Sequence, residues 1–388
     1  MTQTFLSGNQ AFAKGIALVA PEVIAAYPIT PQTIVVEELA EMVEEKVFKS
    51  EYIHVESEHS ALSCCIGASA VGARTFTATS SQGLLYMVEC LSYAAGGRFP
   101  IVMMNANRAT ALPWNIYGDQ RDSLSQLDCG WIQMYCENAQ EALDMAILSY
   151  YIAEHPSVSL PFMVNLDGFH LTHTYEKVTL PTQEDVVNFL PPFQTENKLS
   201  FEAPKNIAFS VGPQLNDHFK YNEHQAMLKS STIIQEAEEK FAQLTGRQYD
   251  GLIETYVIED ADYVIITLGS ISGLVREVID EVRANEQIKV GLIRIRYMRP
   301  FPNQELVTAL KDVKSAAVLE KDISFGNEGT VYTNVNSALK KGNLTLPVTN
   351  YIAGLGGRDI SKGDIHQMIL NFKNDDQQNR VVFVGIDK

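Results

Sequence analysis

Val23-Ile24-Ala25-Ala26-Tyr27-Pro28-Ile29-Thr30-Pro31 joins a short apolar run to a turn that holds two prolines. The run is bounded by Pro21 and Pro28 and reads as a core strand. Pro31 suits the first turn of a helix, where a missing N–H costs nothing, and Thr30 before it suits the N-cap. Ile34, Val35, Leu39, Met42 and Val43 then recur at helical spacing and predict a helix with one apolar face. Free N–H groups at a helix start, placed beyond the carboxyl end of a strand, attract carboxylates and phosphates. Taken alone, the stretch is a well-capped βα turn; its neighbours decide whether it is more.

Working outward, strand and helix signals alternate. Strands are expected at 52–55, 74–79, 100–104, 131–136 and 160–166, with helices at 59–72, 83–95 and 140–153 between them. That order predicts a parallel sheet covered by helices on both faces. Pro191-Pro192 opens a polar surface connection, and a charged helix over 222–245 follows, with Glu236-Ala237-Glu238-Glu239-Lys240 read as solvated. A second series begins at Asp262, with strands at 263–268, 290–295, 316–319 and 348–352 and helices at 274–284, 304–310 and 331–339. The expected fold is α/β, two doubly wound parallel-sheet domains at 1–248 and 249–388.

A chain of 388 residues exceeds the usual size of one core and agrees with two domains. The formal charge of −17 argues against nucleic-acid or membrane-surface binding, both of which need basic patches, and makes the chain a poor dock for an acidic partner. No run reaches transmembrane length. Cys64 and Cys65 are adjacent among five cysteines, which fits reduced thiols in a cytoplasmic setting better than a disulfide framework. There is no Cys-x-x-Cys, so no zinc ribbon, iron–sulfur cluster or other metal site is expected on this chain; Cys129 and Cys136 read as buried hydrophobes.

Further loops fall beyond the carboxyl ends of the expected strands, where a doubly wound sheet builds its site. They are Glu56-Ser57-Glu58, Thr79-Ser80-Ser81-Gln82-Gly83, and Asn105-Ala106-Asn107-Arg108 leading to Tyr117-Gly118-Asp119-Gln120-Arg121-Asp122. Glu56 reads as a helix-start charge. Glu58, ahead of a helix rich in Ala, Ser, Cys and Gly, is either the same or a desolvated acid that shares a proton with a bound heterocycle. Arg108 is either a surface residue or a bidentate holder of a carboxylate. No Ser-His-Asp arrangement supports Ser80 or Ser81 as a nucleophile, and no P-loop or His-Glu-x-x-His occurs. The glycines at 269, 273, 354, 356 and 357 read as turns.

Together, Tyr27-Pro28-Ile29-Thr30-Pro31, Ser57-Glu58, Ser81-Gln82-Gly83-Leu84-Leu85, Arg108-Ala109, Gly118-Asp119 and Asp167-Gly168-Phe169 resemble the α subunit of pyruvate and other 2-oxoacid:ferredoxin oxidoreductases. The likeness runs over residues 5–175, and Arg296-Tyr297-Met298-Arg299-Pro300-Phe301 extends it. It implies a thiamine-diphosphate-binding, transketolase-like fold of pyrimidine type over 1–248, and a transketolase C-terminal-like domain with interface and assembly roles over 249–388. It also implies oxidative decarboxylation of a 2-oxoacid, pyruvate in the first instance, to acyl-CoA and CO2 with reduction of ferredoxin. Glu58 would then be catalytic, holding a proton at N1′ of the aminopyrimidine and so favouring the imino form that generates the thiazolium ylid. Thr30 and Arg108 would hold the substrate carboxylate, and Pro28, Ile29, Glu58, Ser81 and Gln82 would line the cofactor. No Gly-Asp-Gly diphosphate motif is present, so the resemblance implies half a site. A β subunit would bring the diphosphate and Mg2+ ligands and a [4Fe-4S] cluster, γ- and δ-type subunits would complete the complex, and coenzyme A would be the co-substrate. The alternatives are a branched, aromatic or dicarboxylic oxoacid, its side chain met by Leu112, Trp114 and Ile116 unless these only pack, or a non-catalytic assembly subunit.

Overall fold

A computed structural model describes residues 2–207, 209–374 and 380–386. Its strands in chain order are β1 (Thr2–Ser7), β2 (Val23–Ala26), β3 (Glu51–His54), β4 (Thr75–Thr79), β5 (Val102–Asn107), β6 (Ile132–Tyr135), β7 (Phe162–Asp167), β8 (Tyr175–Leu180), β9 (Ile253–Tyr256), β10 (Tyr263–Leu268), β11 (Val290–Ile295), β12 (Tyr297–Arg299), β13 (Ser315–Glu320), β14 (Val348–Ile352) and β15 (Val381–Phe383). The first sheet runs β12-β6-β7-β5-β4-β2-β3 and is parallel apart from β12. The second runs β15-β14-β13-β10-β11-β9, parallel apart from β9. β1 and β8 form a separate antiparallel pair.

Alternation along the buried strands supplies both faces of the first sheet. Ile24, Phe76, Val102, Met104, Phe162 and Val164 join the core under the helices Gly8–Val19, Thr33–Glu44 and Ala139–Glu154. Ala25, Met103 and Met163 point the other way, toward the helices Glu58–Ala70 and Val88–Gly96 and Trp131. β3 lies on one side of β2 and β4 on the other, so the strand order reverses at β2. The crevice outside the carboxyl ends of β2 and β4 is therefore the topological switch point, and the loops after β2, β3, β4 and β5 surround it.

Several elements depart from expectation. The long helix is Pro213–Thr245, and within it Ala237 and Glu238 are buried. Glu238 is not solvated because Arg296 donates to its carboxylate at 2.6 Å and the Gly251 N–H at 2.7 Å. The expected helix at 83–95 is broken at Met87 into Ser81–Tyr86 and Val88–Gly96. β12 belongs by sequence to the second half but pairs with β6 of the first sheet. A buried ion network reinforces that crossing. Arg294 pairs with Glu141 and with Glu254, and Arg296 pairs with Glu141 at 3.0 Å and donates to Gly251 O at 2.6 Å. Burial works against the charge on Glu141, yet the two guanidiniums hold its carboxyl below the usual range. Each sheet still has its own core, so a division at 248/249 stands as our proposal, bridged by this strand and this network. Among the described residues no helix is long and apolar enough to cross a membrane.

Candidate active site at the carboxyl edge of the first sheet

The turn after β2 does not cap the helix as its sequence suggests. The helix is Thr33–Glu44, Gln32 occupies the cap position in helical conformation, and no side chain caps it. Thr30 and Pro31 instead lie in a turn with a cis peptide between them. Gln32 Nε2 donates back to Tyr27 O at 2.9 Å, and Asn9 Nδ2 donates to Pro31 O at 2.8 Å. The turn thus closes on side chains before the helix begins. Pro28 and Ile29 sit on its outer part.

Thr30 and Arg108 are brought together. Arg108 follows β5 directly, is 5% exposed, and donates from Nη1 to Thr30 O at 2.9 Å and from Nε to Asn115 O at 3.2 Å. Its guanidinium stacks over Trp114, 5.4 Å from the ring centroid. Burial lowers its pKa from the ordinary arginine value. Among the described residues no carboxylate ion-pairs with this cation, which leaves it suited to an anionic ligand.

Glu58 opens the helix Glu58–Ala70, whose cap is Ser57: Ser57 Oγ accepts from Ser60 N at 3.2 Å. Glu58 is 8% exposed. Gly83 lies so close that a Cβ there would stand 2.6 Å from Glu58 Oε1 and 2.6 Å from Thr79 Oγ1, so a side chain there would displace the Glu58 carboxyl or the Thr79 hydroxyl. Thr79 Oγ1 and Ser80 Oγ are buried without a hydrogen-bond partner among the described residues. A buried acid beside orphaned hydroxyls, in a cradle that a side chain would fill, fits a polar heterocycle such as an aminopyrimidine. Ser81 has a different task. Its Oγ lies 2.7 Å from Ala109 O and 2.7 Å from Gln82 Oε1, so its hydroxyl is engaged inside the chain. Glu56 is exposed and bonds Ser60 Oγ, in keeping with a helix-start charge.

Two organising carboxylates lie in stretches singled out in the sequence, without a role assigned to them there. Asp122, fully buried, accepts from Ser81 N and Arg108 N at 3.1 Å each, from Asn107 Nδ2 at 2.9 Å, Asn105 Nδ2 at 3.2 Å and Ser123 N at 2.8 Å. Burial pushes its pKa up to about 6 against all these donors. It ties the loop after β4 to the loop after β5. Asp167, at the end of β7, takes Gln120 Nε2 at 2.9 Å and, from the second half of the chain, Ser270 N at 2.9 Å and Lys321 Nζ at 3.2 Å. Burial opposes its charge, but Lys321 and these donors hold its carboxyl below the usual carboxylate range.

The fold is that of thiamine-diphosphate enzymes. It is similar, with a TM-score of 0.73 at 20% identity over 95% of this chain, to a 2-oxoglutarate:ferredoxin oxidoreductase from Magnetococcus marinus with 2-oxoglutarate, coenzyme A and succinyl-CoA bound, of which it spans 65%. A split-gene transketolase, an inactive tetramer of four beta chains, gives 0.52 at 10% identity over 94% of this chain and 97% of that one. The chain belongs to the pyruvate flavodoxin/ferredoxin oxidoreductase family: residues 14–239 match its thiamine-diphosphate-binding domain and residues 261–365 the pyruvate:ferredoxin oxidoreductase core domain II. Pyruvate synthase subunit PorA of Methanothermobacter thermautotrophicus is 45% identical over 100% of this chain and 99% of its own length. PorA of Methanocaldococcus jannaschii is 46% identical over 98% and 97%, and ketoisovalerate oxidoreductase subunit VorA of Pyrococcus horikoshii 44% over 95% and 93%.

Proposed function

We propose that this chain is the α-type subunit of a pyruvate:ferredoxin oxidoreductase, the complex that oxidatively decarboxylates pyruvate to acetyl-CoA and CO2 and reduces ferredoxin. The observation that carries the reading is the buried Arg108 guanidinium, in no ion pair among the described residues, beside Thr30 on the sheet edge that also presents Glu58. Thiamine diphosphate, when bound, supplies the electron sink that decarboxylation needs. This chain's residues do the rest of its share. Glu58 holds and moves a proton at N1′ of the aminopyrimidine, with Pro28, Ile29 and Gln82 shaping the surrounding wall and Ser81 bracing it from within through Ala109 O and Gln82. Arg108 and Thr30 orient the oxoacid through its carboxylate.

The chain supplies one wall only. The helix Glu58–Ala70 turns Ser63 and Gly67 outward, with no atom within 4 Å of a Cβ at Gly67, and Tyr86 (60% exposed) and Tyr93 (64%) stand beside it. Small residues and unburied aromatics suit the face to a companion chain. That β subunit would carry the diphosphate and Mg2+ ligands and a [4Fe-4S] cluster, with γ- and δ-type subunits leading electrons to ferredoxin and coenzyme A taking the acyl group. A net charge of −17 directs an acidic ferredoxin to another subunit, and a cytoplasmic complex fits the reduced cysteines.

The near-equal identity to PorA and VorA chains keeps a branched oxoacid as a second reading. Assayed with pyruvate, 2-oxoisovalerate, phenylpyruvate and 2-oxoglutarate, the whole complex reduces ferredoxin with a kcat/KM for pyruvate about tenfold or more above the others. A preference for 2-oxoisovalerate moves the assignment to that substrate; no turnover with any oxoacid refutes it.

A further inference from the structure

The loop after β5 has no regular structure from 108 to 120, and Leu112 and Trp114 are 86% and 68% exposed. Yet this loop fixes Arg108, by the Asn115 carbonyl on Nε and the Trp114 ring under the guanidinium. Something must hold the loop still, and the contacts run to the second half of the chain. Asn115 Nδ2 donates to Gly356 O at 2.8 Å, and Gly356 N donates back to Asp119 Oδ2 at 3.0 Å. Asn115 Oδ1 also accepts from Tyr117 N at 2.6 Å. One residue therefore joins Arg108, its own loop and the segment after β14.

That segment is built for the approach. Gly354, Gly356 and Gly357 take φ of 70°, 63° and 78°. A Cβ on Gly356 would lie 2.7 Å from Asn115 Nδ2, and one on Gly357 2.4 Å from Tyr117 Cβ. Alongside, Gln120 N donates to Lys321 O at 2.9 Å. The glycines read in the sequence as mere turns are the far half of a latch.

We propose that Asn115 is a positioning residue for oxoacid binding, fixing Arg108 by latching its loop onto Gly356, so that the second domain forms part of the substrate site rather than serving assembly alone. The inference rests on Arg108 holding the substrate carboxylate. No group is transferred; the latch acts by preorganising a cation that would otherwise sample many rotamers.

The test uses the assembled complex. Asn115→Asp keeps the acceptor for Tyr117 N–H but sets a carboxylate oxygen against Gly356 O, and Gly356→Ala sets a Cβ 2.7 Å from Asn115 Nδ2, crowding the same contact from the other side. In each variant KM for pyruvate rises about tenfold, the loss of roughly one net hydrogen bond, while kcat stays within about twofold and the subunits still co-elute. In an Arg108→Ala background Asn115→Asp lowers kcat/KM by less than about twofold, because its effect passes through Arg108. Unchanged KM in both single variants overturns the latch, as does a full-size effect of Asn115→Asp without Arg108. If Arg108→Ala alone leaves KM unchanged, the carboxylate-binding role of Arg108 fails and the latch's role with it; a large Arg108→Ala effect beside silent latch variants sinks the latch alone.

Discussion

Replacing Glu58 with Gln lowers kcat of the assembled complex by a factor on the order of 10²–10⁴ while the subunits still co-purify. Gln is nearly isosteric and keeps an acceptor oxygen, so the contact with Gly83 and the shape of the cradle survive. What it cannot do is exchange a proton with a ring nitrogen. The structural cost is small: losing a negative charge in the first turn of the helix Glu58–Ala70 removes a few tenths to about 1 kcal/mol. A variant that assembles and turns over within about tenfold of the parent shows that Glu58 is a helix-start charge and nothing more.

The second large effect is on stability. Arg296→Met leaves Glu141 and Glu238, both nearly inaccessible to water, short of a shared cation, and an uncompensated buried charge costs about 3–5 kcal/mol. The same change removes the donor to Gly251 O, at the junction between the two sheets. Combining it with Glu238→Gln recovers part of the loss, since the two side chains are in contact and their effects are not additive. The denaturant midpoint of the chain, at unchanged slope, reports the difference. A fall of less than about 1 kcal/mol would mean that water reaches these carboxylates and that the network does not join the halves.

Much of this architecture is legible along the chain. β10, β11 and β14 match their expected limits because continuous apolar runs between turn signals leave one reading. Arg108 stands out because it follows β5 directly, and Glu58 because it opens the helix after β3, both at the edge where such sheets build sites. Other features depend on partners that sequence does not display. Glu238 sits in a Glu-Glu-Lys stretch that looks solvated, and its burial is explained by Arg296, 58 residues away, and the Gly251 N–H. Thr30 has the residue type of a cap, but Asn9 and Gln32 close the turn first. Asp122 binds Ser81 N across 41 residues, and Asn115 reaches Gly356 across 241. β12 has three residues and pairs outside its own half, too short for any periodicity. Local pattern thus predicts the parallel strands of both sheets but not β1, β8, β9, β12 or β15, and the carboxylates and amides that pack around the strand ends emerge only from long-range packing.

A cofactor site split between two chains binds its ligand tightly only when both walls are present. Titration calorimetry of thiamine diphosphate with Mg2+ into this chain, into its companion subunit, and into the two together tests that directly. The mixture binds at least about a hundredfold more tightly than either chain alone, and Glu58→Gln weakens the mixture's binding. Saturable binding by this chain alone, as tight as that of the mixture, would contradict the assignment of a single wall to it.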